Sequence, residues 1–169
     1  GSFLMGPRKG EGNSFDGTTQ TRASVSRLAV ARYEVTFEQH DACAVAGKCG
    51  KLFLYDYGDG RQQRPVNVRY HEAQAYVTWL SQHTGHRYRL LTEAEWEHAA
   101  RGGQPSRWYW GDDAAQGCAY ENLSDLALQE MPGILRLEGG FVANCNDSLG
   151  DSTAPVGSYR PNPYGLYDM

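Results

Sequence analysis

The sequence lacks the features that identify membrane-spanning and nucleic-acid-binding proteins. It contains no run of about 18 apolar residues, the length from which a membrane-spanning helix is recognised. Its 16 basic residues are scattered along the chain, whereas a phosphate-binding surface needs clustered Lys and Arg. With 20 acidic residues, the formal net charge is -4. We therefore expect no membrane span and no nucleic-acid partner.

The sequence also lacks the common catalytic and metal-binding motifs. It has no Gly-x-Gly-x-x-Gly turn and no Gly-x-Ser-x-Gly nucleophile elbow. Gly47-Lys48 is followed by Cys49 instead of the Ser or Thr of a phosphate-binding loop. No Cys-x2-Cys pair occurs and no Cys neighbours a His, which disfavours a zinc site. Nucleotide binding and serine hydrolysis are therefore not indicated.

The chain is instead rich in residues that are typical of irregular structure packed by aromatic side chains. It has 20 Gly, 7 Pro and 11 Tyr, with 40% hydrophobic and 12% aromatic residues. This apolar content can form a core, while Gly and Pro at such frequency favour loops. No internal repeat or linker divides the sequence. We predict one loop-rich domain over residues 1–169.

Short strands are predicted in the first part of the chain. Phe3 to Gly6 and Ala29 to Val35 have strand-like composition, and residues 10–17 between them are polar and rich in turn formers. Pro65 precedes another short extended segment, Val66 to Val68. The strands should therefore be minor elements between loops and helices.

Capping residues and apolar spacing predict the first two of three helices. Thr36 followed by Gln39 has capping-box spacing, so the first helix should begin at Thr36 and end near Gly47. Apolar residues recur at helical spacing over 73–80, and Gly85 stands where a C-cap glycine belongs. These two signals together predict the second helix.

The third helix has the strongest start signal in the sequence. Thr92 is an N-cap candidate and Glu95 follows it at the capping-box position. The helix should run to about Ala100, because Gly102 then interrupts it. Beyond Trp108 no periodicity is sustained, so an irregular segment is predicted there.

Four aromatic residues lie close to or within the start of this irregular segment. They are Trp96, Trp108, Tyr109 and Trp110. Such side chains could form a ligand-binding surface, but aromatics beside a glycine-rich loop more often pack the core. We expect core packing here.

Eight short motifs occur along the whole chain in the order found in one known family. They are Gly1-Ser-Phe-Leu-Met-Gly6, Tyr33-Glu-Val-Thr36, Arg64-Pro-Val66, Tyr88-Arg-Leu-Leu-Thr-Glu-Ala-Glu-Trp-Glu97, Ala100-Arg-Gly102, Tyr109-Trp-Gly111, Thr153-Ala-Pro-Val156 and Asn162-Pro-Tyr-Gly-Leu-Tyr-Asp-Met169. Read together, they resemble the formylglycine-generating enzyme, or sulfatase-modifying factor, family. The resemblance implies an α+β fold, a loop-rich variant of the C-type lectin fold with about three helices and short strands.

The sequence departs from the family pattern at a few positions. Leu91 stands where the family usually has Pro, and Arg69 stands where a Ser commonly caps the second helix. In this family the Gly-Leu-Tyr-Asp-Met motif leads into a further segment, and the paired catalytic cysteines come later still. The resemblance therefore implies a domain that is incomplete at its C-terminal end, with catalytic cysteines beyond Met169 and no catalytic residue assigned within the chain.

The four cysteines are expected to be structural. Cys43 and Cys49 flank the end of the first helix, while Cys118 and Cys145 bracket the irregular segment, and an even number suits two disulfides. Related sequences with a comparable Cys-x5-Cys imply the first pairing. Reduced cysteines in a cytoplasmic protein are the alternative, because the compartment governs disulfide formation. We favour an extracytoplasmic location, periplasmic or secreted.

The resemblance also implies a structural calcium site. The family's site uses an Asn side chain, the next carbonyl, an Asp and a carbonyl two residues later, and such oxygen donors suit this hard cation. The closest matches are Asn122, Leu123, Asp147 and Leu149. Asn144 with Asp151 is a competing match. Ordinary turn residues are the remaining alternative, because Asn and Asp are common in turns.

Two functions are compatible with these features. The first is a non-catalytic, C-type-lectin-like binding or scaffold module with a protein or peptide ligand. The alternative is the N-terminal portion of a copper- and oxygen-dependent oxidase that converts a sulfatase cysteine to formylglycine. Copper would then be needed only with a C-terminal segment that carries the catalytic cysteines, and that segment would be a further partner of this chain. Fold alone does not choose between the two.

Overall fold

The structure, a computed structural model, describes residues 1–8, 20–52, 60–130, 143–147, 149 and 152–169. The elements in these residues are β1 Ser2–Met5, β2 Thr21–Ser24, α1 Phe37–Val45, a 3₁₀ helix Arg61–Gln63, α2 Tyr70–Thr84, α3 Glu93–Arg101, a 3₁₀ helix Ala114–Ala119 and α4 Leu126–Gln129. Within these ranges, no helix is both long enough and apolar enough to cross a membrane.

The chain divides into two compact units. The first comprises Gly1–Arg32, Leu91–Ser152 and Tyr159–Met169, and the second comprises Tyr33–Leu90 and Thr153–Ser158. Apolar residues are buried in both: Val25, Ala99, Tyr109, Ala143 and Leu166 in the first, and Phe37, Cys43 and Tyr76 in the second. The single domain inferred from the sequence stays a prediction.

A two-stranded antiparallel sheet begins the first unit. β1 pairs with β2 so that Phe3 lies opposite Ala23, and α3 packs against β1. Glu97 on α3 holds the end of β1, because its carboxylate accepts the Gly6 N–H at 2.8 Å. Arg101 donates to Glu97 at 2.8 Å and to the Gly6 carbonyl at 3.0 Å. The ion pair on α3 therefore also anchors the strand.

α3 begins and ends as the sequence predicts. The Thr92 hydroxyl accepts the Glu95 N–H at 3.3 Å, and the Glu95 carboxylate accepts the Thr92 N–H at 2.9 Å. At the other end, Gly102 has a φ of 56°. A Cβ at this position would lie 2.7 Å from Pro163 Cδ. Both the backbone conformation and the available space therefore require glycine.

The second unit contains α1 and α2, which also agree with the predictions. Thr36 and Gln39 form the capping box at the start of α1, with hydrogen bonds of 3.3 and 3.1 Å. α2 ends at Gly85, which has a φ of 74°. The Arg69 side chain has no acceptor atom, so only half of a capping box forms at the start of α2. The Glu72 carboxylate accepts the Arg69 N–H at 2.7 Å.

One predicted strand is wrong. Ala29 to Val35 forms no strand, and the partner of β1 is Thr21–Ser24. The apolar residues at 30, 33 and 35 do not alternate strictly, so they lack the period of a half-buried strand. The backbone that follows makes only an isolated bridge, between Thr36 and Pro65. The predicted polar loop over 10–17 lies outside the described residues.

His40 on α1 is a buried polar residue of the second unit. It is 1% exposed and stacks on Tyr76, with ring centroids 6.1 Å apart. Neither ring nitrogen has a hydrogen-bond partner among the described residues. Burial lowers the pKa of His40 from its ordinary value of 6.5. Arg61 acts in the same direction, while Asp41 and Glu72 oppose the shift.

A His40→Met variant should be less sensitive to acid than the wild type. Because the pKa of His40 is lower in the folded state, protonation below about pH 6.5 favours the unfolded chain. Stability should therefore fall as the pH drops through 6.5 towards the folded-state pKa. Met has no polar atom to leave unpaired, so the variant should keep its stability near neutral pH. Urea denaturation at several pH values measures the difference.

The matched control for this experiment is His86→Met. His86 is exposed, so this variant makes the same replacement of a histidine outside the core. The difference in the free energy of unfolding between H40M and the wild type should increase as the pH falls. The increase should be no larger than the binding of one proton to the unfolded chain allows. Parallel curves for H40M and the wild type would contradict the prediction.

Candidate functional site

Two disulfides cross-link the chain, one in each unit. Cys43 is bonded to Cys49 with Cα atoms 5.3 Å apart, and Cys118 is bonded to Cys145 with Cα atoms 6.1 Å apart. These are the two pairs expected from the sequence. No cysteine is free. The second bridge joins cysteines that are 27 positions apart in the sequence.

A fully buried carboxylate, Asp125, lies beside the second disulfide. Asp125 is 0% exposed and caps α4, where it accepts the Leu128 N–H at 3.2 Å. Its other oxygen accepts the Asp147 N–H at 2.6 Å. Cys118 Sγ lies 3.8 Å from that oxygen, but a disulfide sulfur has no proton to donate. Backbone hydrogen bonds of 2.8 and 3.0 Å join segment 143–145 to the residues on either side of Asp125.

Asp147 extends this network to the other predicted calcium ligands. Its carboxylate accepts the Leu149 N–H and the Tyr159 hydroxyl, both at 2.9 Å. The Leu149 carbonyl accepts the Ser152 N–H at 3.1 Å, and Asn122 Nδ2 donates to the Ser152 carbonyl at 2.8 Å. Burial raises the pKa of Tyr159, and its bond to Asp147 acts in the same direction. Ser152 thus connects Asn122 to Leu149, and Leu149 is bonded directly to Asp147.

Leu123, the fourth predicted calcium ligand, is positioned by its side chain. A Cβ on Gly117 would overlap Leu123 Cδ1 and would lie 3.4 Å from the Trp110 ring, so the leucine fills the space over Gly117. Asn144 of the competing match is exposed, and Asp151 lies outside the described residues. In the described part of the chain, no cluster of three or more His, Cys, Asp or Glu residues could hold a metal. The predicted site therefore offers one carboxylate together with amide and carbonyl oxygens, which suit calcium in kind.

An aromatic cluster packs in the same unit. Tyr109 is buried and meets Trp110 and Tyr120 edge-on, at centroid distances of 4.9 and 5.7 Å. Trp110 stacks on both Trp108 and Tyr120 at 5.5 Å. The predicted core packing therefore holds for Tyr109. It is wrong for Trp96, which is 53% exposed.

Glu121 and Asp168 are an acidic pair in this unit. Burial raises the pKa of Glu121 to about 7, and the charge of Asp168 acts in the same direction. Asp168 has a φ of 52°, a conformation that is uncommon for a residue with a side chain. Burial also raises the pKa of Tyr109, and Glu121 contributes to that shift. Glu121 can therefore exchange a proton near neutral pH.

Several of these residues are not predicted by the sequence. Asp125 has the N-cap position as a local signal, but α4 has only four residues and is too short to show helical periodicity. Tyr159 and Asp168 join their partners through contacts between distant segments, for which one sequence contains no signal. Glu121 stands beside a predicted ligand but is distinguished only by its burial.

Comparison with known families identifies the chain. The profile of the Sulfatase-modifying factor enzyme 1-like domain matches residues 1–169. The chain belongs to this family. The fold of this sulfatase-modifying factor domain is therefore C-type-lectin-like, and its helices and two-stranded sheet agree with the predicted α+β class.

Individual relatives of this sulfatase-modifying factor chain include enzymes and a protein named as inactive. The chain is 39% identical over 111 residues to the formylglycine-generating enzyme of Streptomyces coelicolor, covering 64% of this chain and 30% of the relative. It is 35% identical over 119 residues to that of Mycobacterium tuberculosis, covering 68% and 32%. It is 34% identical over 106 residues to the inactive C-alpha-formylglycine-generating enzyme 2 of Bos taurus, covering 62% and 29%. The match thus spans about a third of each relative.

Proposed function

We propose that this sulfatase-modifying factor chain is a non-catalytic binding or scaffold module that recognises a protein or peptide ligand. The proposal is carried by the disulfide bonding of all four cysteines. Oxidation of a substrate by a thiol-dependent site needs a thiolate, and a disulfide-bonded cysteine has none. The family also has members named as inactive, which supports the same function.

Part of this proposal is an extracytoplasmic location. The two disulfides support it, because such bonds persist in oxidising compartments. The loop backbone beside the second disulfide is also held by the buried Asp125 and by Asp147. A rigid loop surface costs less conformational entropy when it binds a ligand.

A second candidate function is favoured by the names of the relatives. Several are formylglycine-generating enzymes at 35–39% identity. In that case this chain would be the N-terminal portion of a copper- and oxygen-dependent oxidase acting on a sulfatase cysteine. The catalytic cysteines would lie beyond Met169, in a C-terminal part of the same domain that packs with this one. The cysteines of this chain do not fit copper, because each is bonded to another cysteine.

An activity assay separates the two candidates. The complete protein, together with any chain that follows Met169, would be purified and incubated with a cysteine-containing sulfatase peptide, copper and oxygen, and the peptide mass would be followed. The proposal predicts that the cysteine stays unmodified, whereas a formylglycine generator as positive control converts it. Conversion by the purified protein would overturn the non-catalytic function and establish the oxidase.

We further propose a structural calcium ion held by Asn122, Leu123, Asp147 and Leu149. The support is the hydrogen-bonded chain that links Asn122, Ser152, Leu149 and Asp147 in that order, together with the oxygen chemistry of all four proposed ligands. Bound calcium would neutralise the Asp147 charge and fix the loop. Because calcium would bind the folded state alone, calcium at about 100 times its dissociation constant should add about 2.7 kcal/mol of stability.

Thermal unfolding with calcium and with a chelator tests this site. Calcium should raise the midpoint of the wild type, and Asp147→Asn should abolish the calcium-dependent shift whatever its own baseline stability. Asp113→Asn is the matched control, because Asp113 caps a 3₁₀ helix at an exposed position in the same unit. If calcium raises the thermal midpoints of D147N and D113N equally, Asp147 is not a calcium ligand. If calcium does not raise the midpoint of the wild type, the proposed calcium site is wrong.

A further inference from the structure

A cavity of about 550 Å³ opens in the first unit, and neither the predicted calcium ligands nor the cysteines are among its lining residues. Its lining includes Phe3 and Leu4 of β1, His98 of α3, Gln104 and Tyr164. The volume lies within the range of about 300 to 1,000 Å³ that is typical of small-ligand sites.

The wall of the cavity is aromatic. The Phe3 and His98 rings have centroids 5.1 Å apart at an angle of 46°, and the His98 and Tyr164 rings are 5.7 Å apart at 55°. Such tilted rings leave faces and edges that a further ring can contact at about 4.5 to 7 Å. Tyr164 is 51% exposed and Leu4 is 49% exposed, so apolar surface in this wall is still open to solvent.

The charges at the cavity are already compensated. Arg8 donates to Asp112 at 2.6 Å and to the Pro105 carbonyl at 2.9 Å. Arg101 is paired with Glu97 at 2.8 Å. Two guanidinium groups, each with its own carboxylate, leave little net field for an anionic ligand. A neutral ligand is therefore favoured.

Three polar side chains in the cavity lining are available for hydrogen bonds to a ligand. Within the described chain, no hydrogen bond reaches the His98 imidazole, the Tyr164 hydroxyl or the Gln104 side-chain amide. These groups can donate to and accept from the polar edge of a ring and the amides that flank it. A phenol or indole attached to a peptide backbone offers the matching groups.

The position of Tyr164 is determined by its neighbours. A Cβ on Gly103 would lie 3.1 Å from the Tyr164 hydroxyl oxygen, and Gly103 has a φ of 78°. Asn162 fixes the start of the same turn, because its side-chain oxygen accepts the Tyr164 N–H at 2.9 Å. The aromatic wall is therefore preorganised by a glycine and a buried amide, which lowers the entropy cost of binding.

We propose that this cavity binds a neutral aromatic side chain, of tyrosine or tryptophan, in a peptide ligand. The ring would pack against His98 and Tyr164, and the flanking peptide amides would meet Gln104. This inference rests on the proposed function as a peptide-binding module and assigns the chemistry of its ligand. The same ring chemistry also occurs in free phenols, so the test includes both sources.

Calorimetric titration of the purified protein tests the proposal. The probes are the pentapeptides Gly-Gly-Tyr-Gly-Gly and Gly-Gly-Leu-Gly-Gly, together with free p-cresol. The tyrosine peptide should bind about tenfold more tightly than the leucine peptide, because the latter lacks the ring contacts. It should also bind more tightly than p-cresol. If p-cresol binds as tightly as the tyrosine peptide, the ligand need not be a peptide and that part of the proposal is overturned. If the leucine peptide binds as tightly as the tyrosine peptide, the preference for an aromatic side chain is overturned.

Three variants locate the binding. Tyr164→Leu should weaken the tyrosine peptide about tenfold, and Gln104→Ala, at an exposed position, should weaken it by a smaller factor. Tyr70→Leu is the matched control, because Tyr70 is exposed in the other unit, and it should bind as the wild type does. If Y164L does not fold, Q104A alone decides. Unchanged binding in Q104A and in a folded Y164L would place the peptide elsewhere and overturn the proposal.

The outcome is separable from that of the activity assay. Conversion of the sulfatase cysteine would overturn the non-catalytic function while leaving the peptide titration and its variants unaffected. Failure of the tyrosine peptide to bind, with no conversion in the assay, would remove the cavity but not the non-catalytic function.

Discussion

Asp125→Ala should destabilise the protein by about 3 to 4 kcal/mol, because it removes a buried carboxylate that accepts two backbone N–H groups. Those donors belong to Leu128 and Asp147, which lie on two segments that are distant along the chain. Alanine would leave both N–H groups without their acceptor in an environment where Asp125 itself is 0% exposed. Urea denaturation with the disulfides intact measures the loss.

The matched control for Asp125 is Asp113→Ala. Asp113 also caps a helix, accepting the Ala115 N–H at 3.0 Å, but it is exposed. Loss of a cap alone should cost about 1 kcal/mol. A loss in D125A no larger than the loss in D113A would show that Asp125 acts only as a helix cap and does not hold segment 143–147.

Asn162→Ala should cost about 2 to 4 kcal/mol, since it deletes a set of buried hydrogen bonds. Asn162 is 3% exposed. Its Nδ2 donates to the Ala99 carbonyl at 2.7 Å, and its Oδ1 accepts the N–H groups of Tyr164 and Leu166 at 2.9 and 3.1 Å. The side chain therefore satisfies an end of α3 and closes the 162–166 turn at once. Thermal and urea unfolding measure the loss.

Two further variants give this prediction its controls. Asn67→Ala changes an exposed asparagine in the second unit and should stay within about 0.5 kcal/mol of the wild type. Asn162→Asp keeps one acceptor oxygen but sets a charged, buried carboxylate against the Ala99 carbonyl, so it should lose at least as much stability as N162A. Equal stability of N162A and N67A would mean that the turn holds without this side chain.

The helices could be predicted from the sequence because their signals are local. Thr36 with Gln39 and Thr92 with Glu95 lie within one turn of each other, so a capping box is visible in a few consecutive residues. Gly85 at the end of α2 is equally local. The strand at Ala29 to Val35 failed because the pairing of a strand depends on a distant partner, and β1 selected Thr21–Ser24.

The candidate site could be predicted only in part. The cysteines are visible in the sequence and form the expected disulfides, whereas the calcium ligands stay a prediction drawn from the family resemblance. Trp96 was predicted to be buried and is exposed, since burial depends on what the rest of the chain places against a side chain. Asp125 and Tyr159 act through hydrogen bonds to Asp147, 22 and 12 positions away.

The sequence by itself determined where the three longer helices begin and end, which family motifs occur and which classes of protein are disfavoured. Only the tertiary structure decided which carboxylate is buried at the second disulfide, which amide closes the turn at 162–166 and where an aromatic cavity opens. The physical reason is the distance along the chain over which the responsible interactions act. Caps and helical periodicity arise from neighbours along the chain, whereas burial, pKa shifts and cavities arise from segments that meet only after folding.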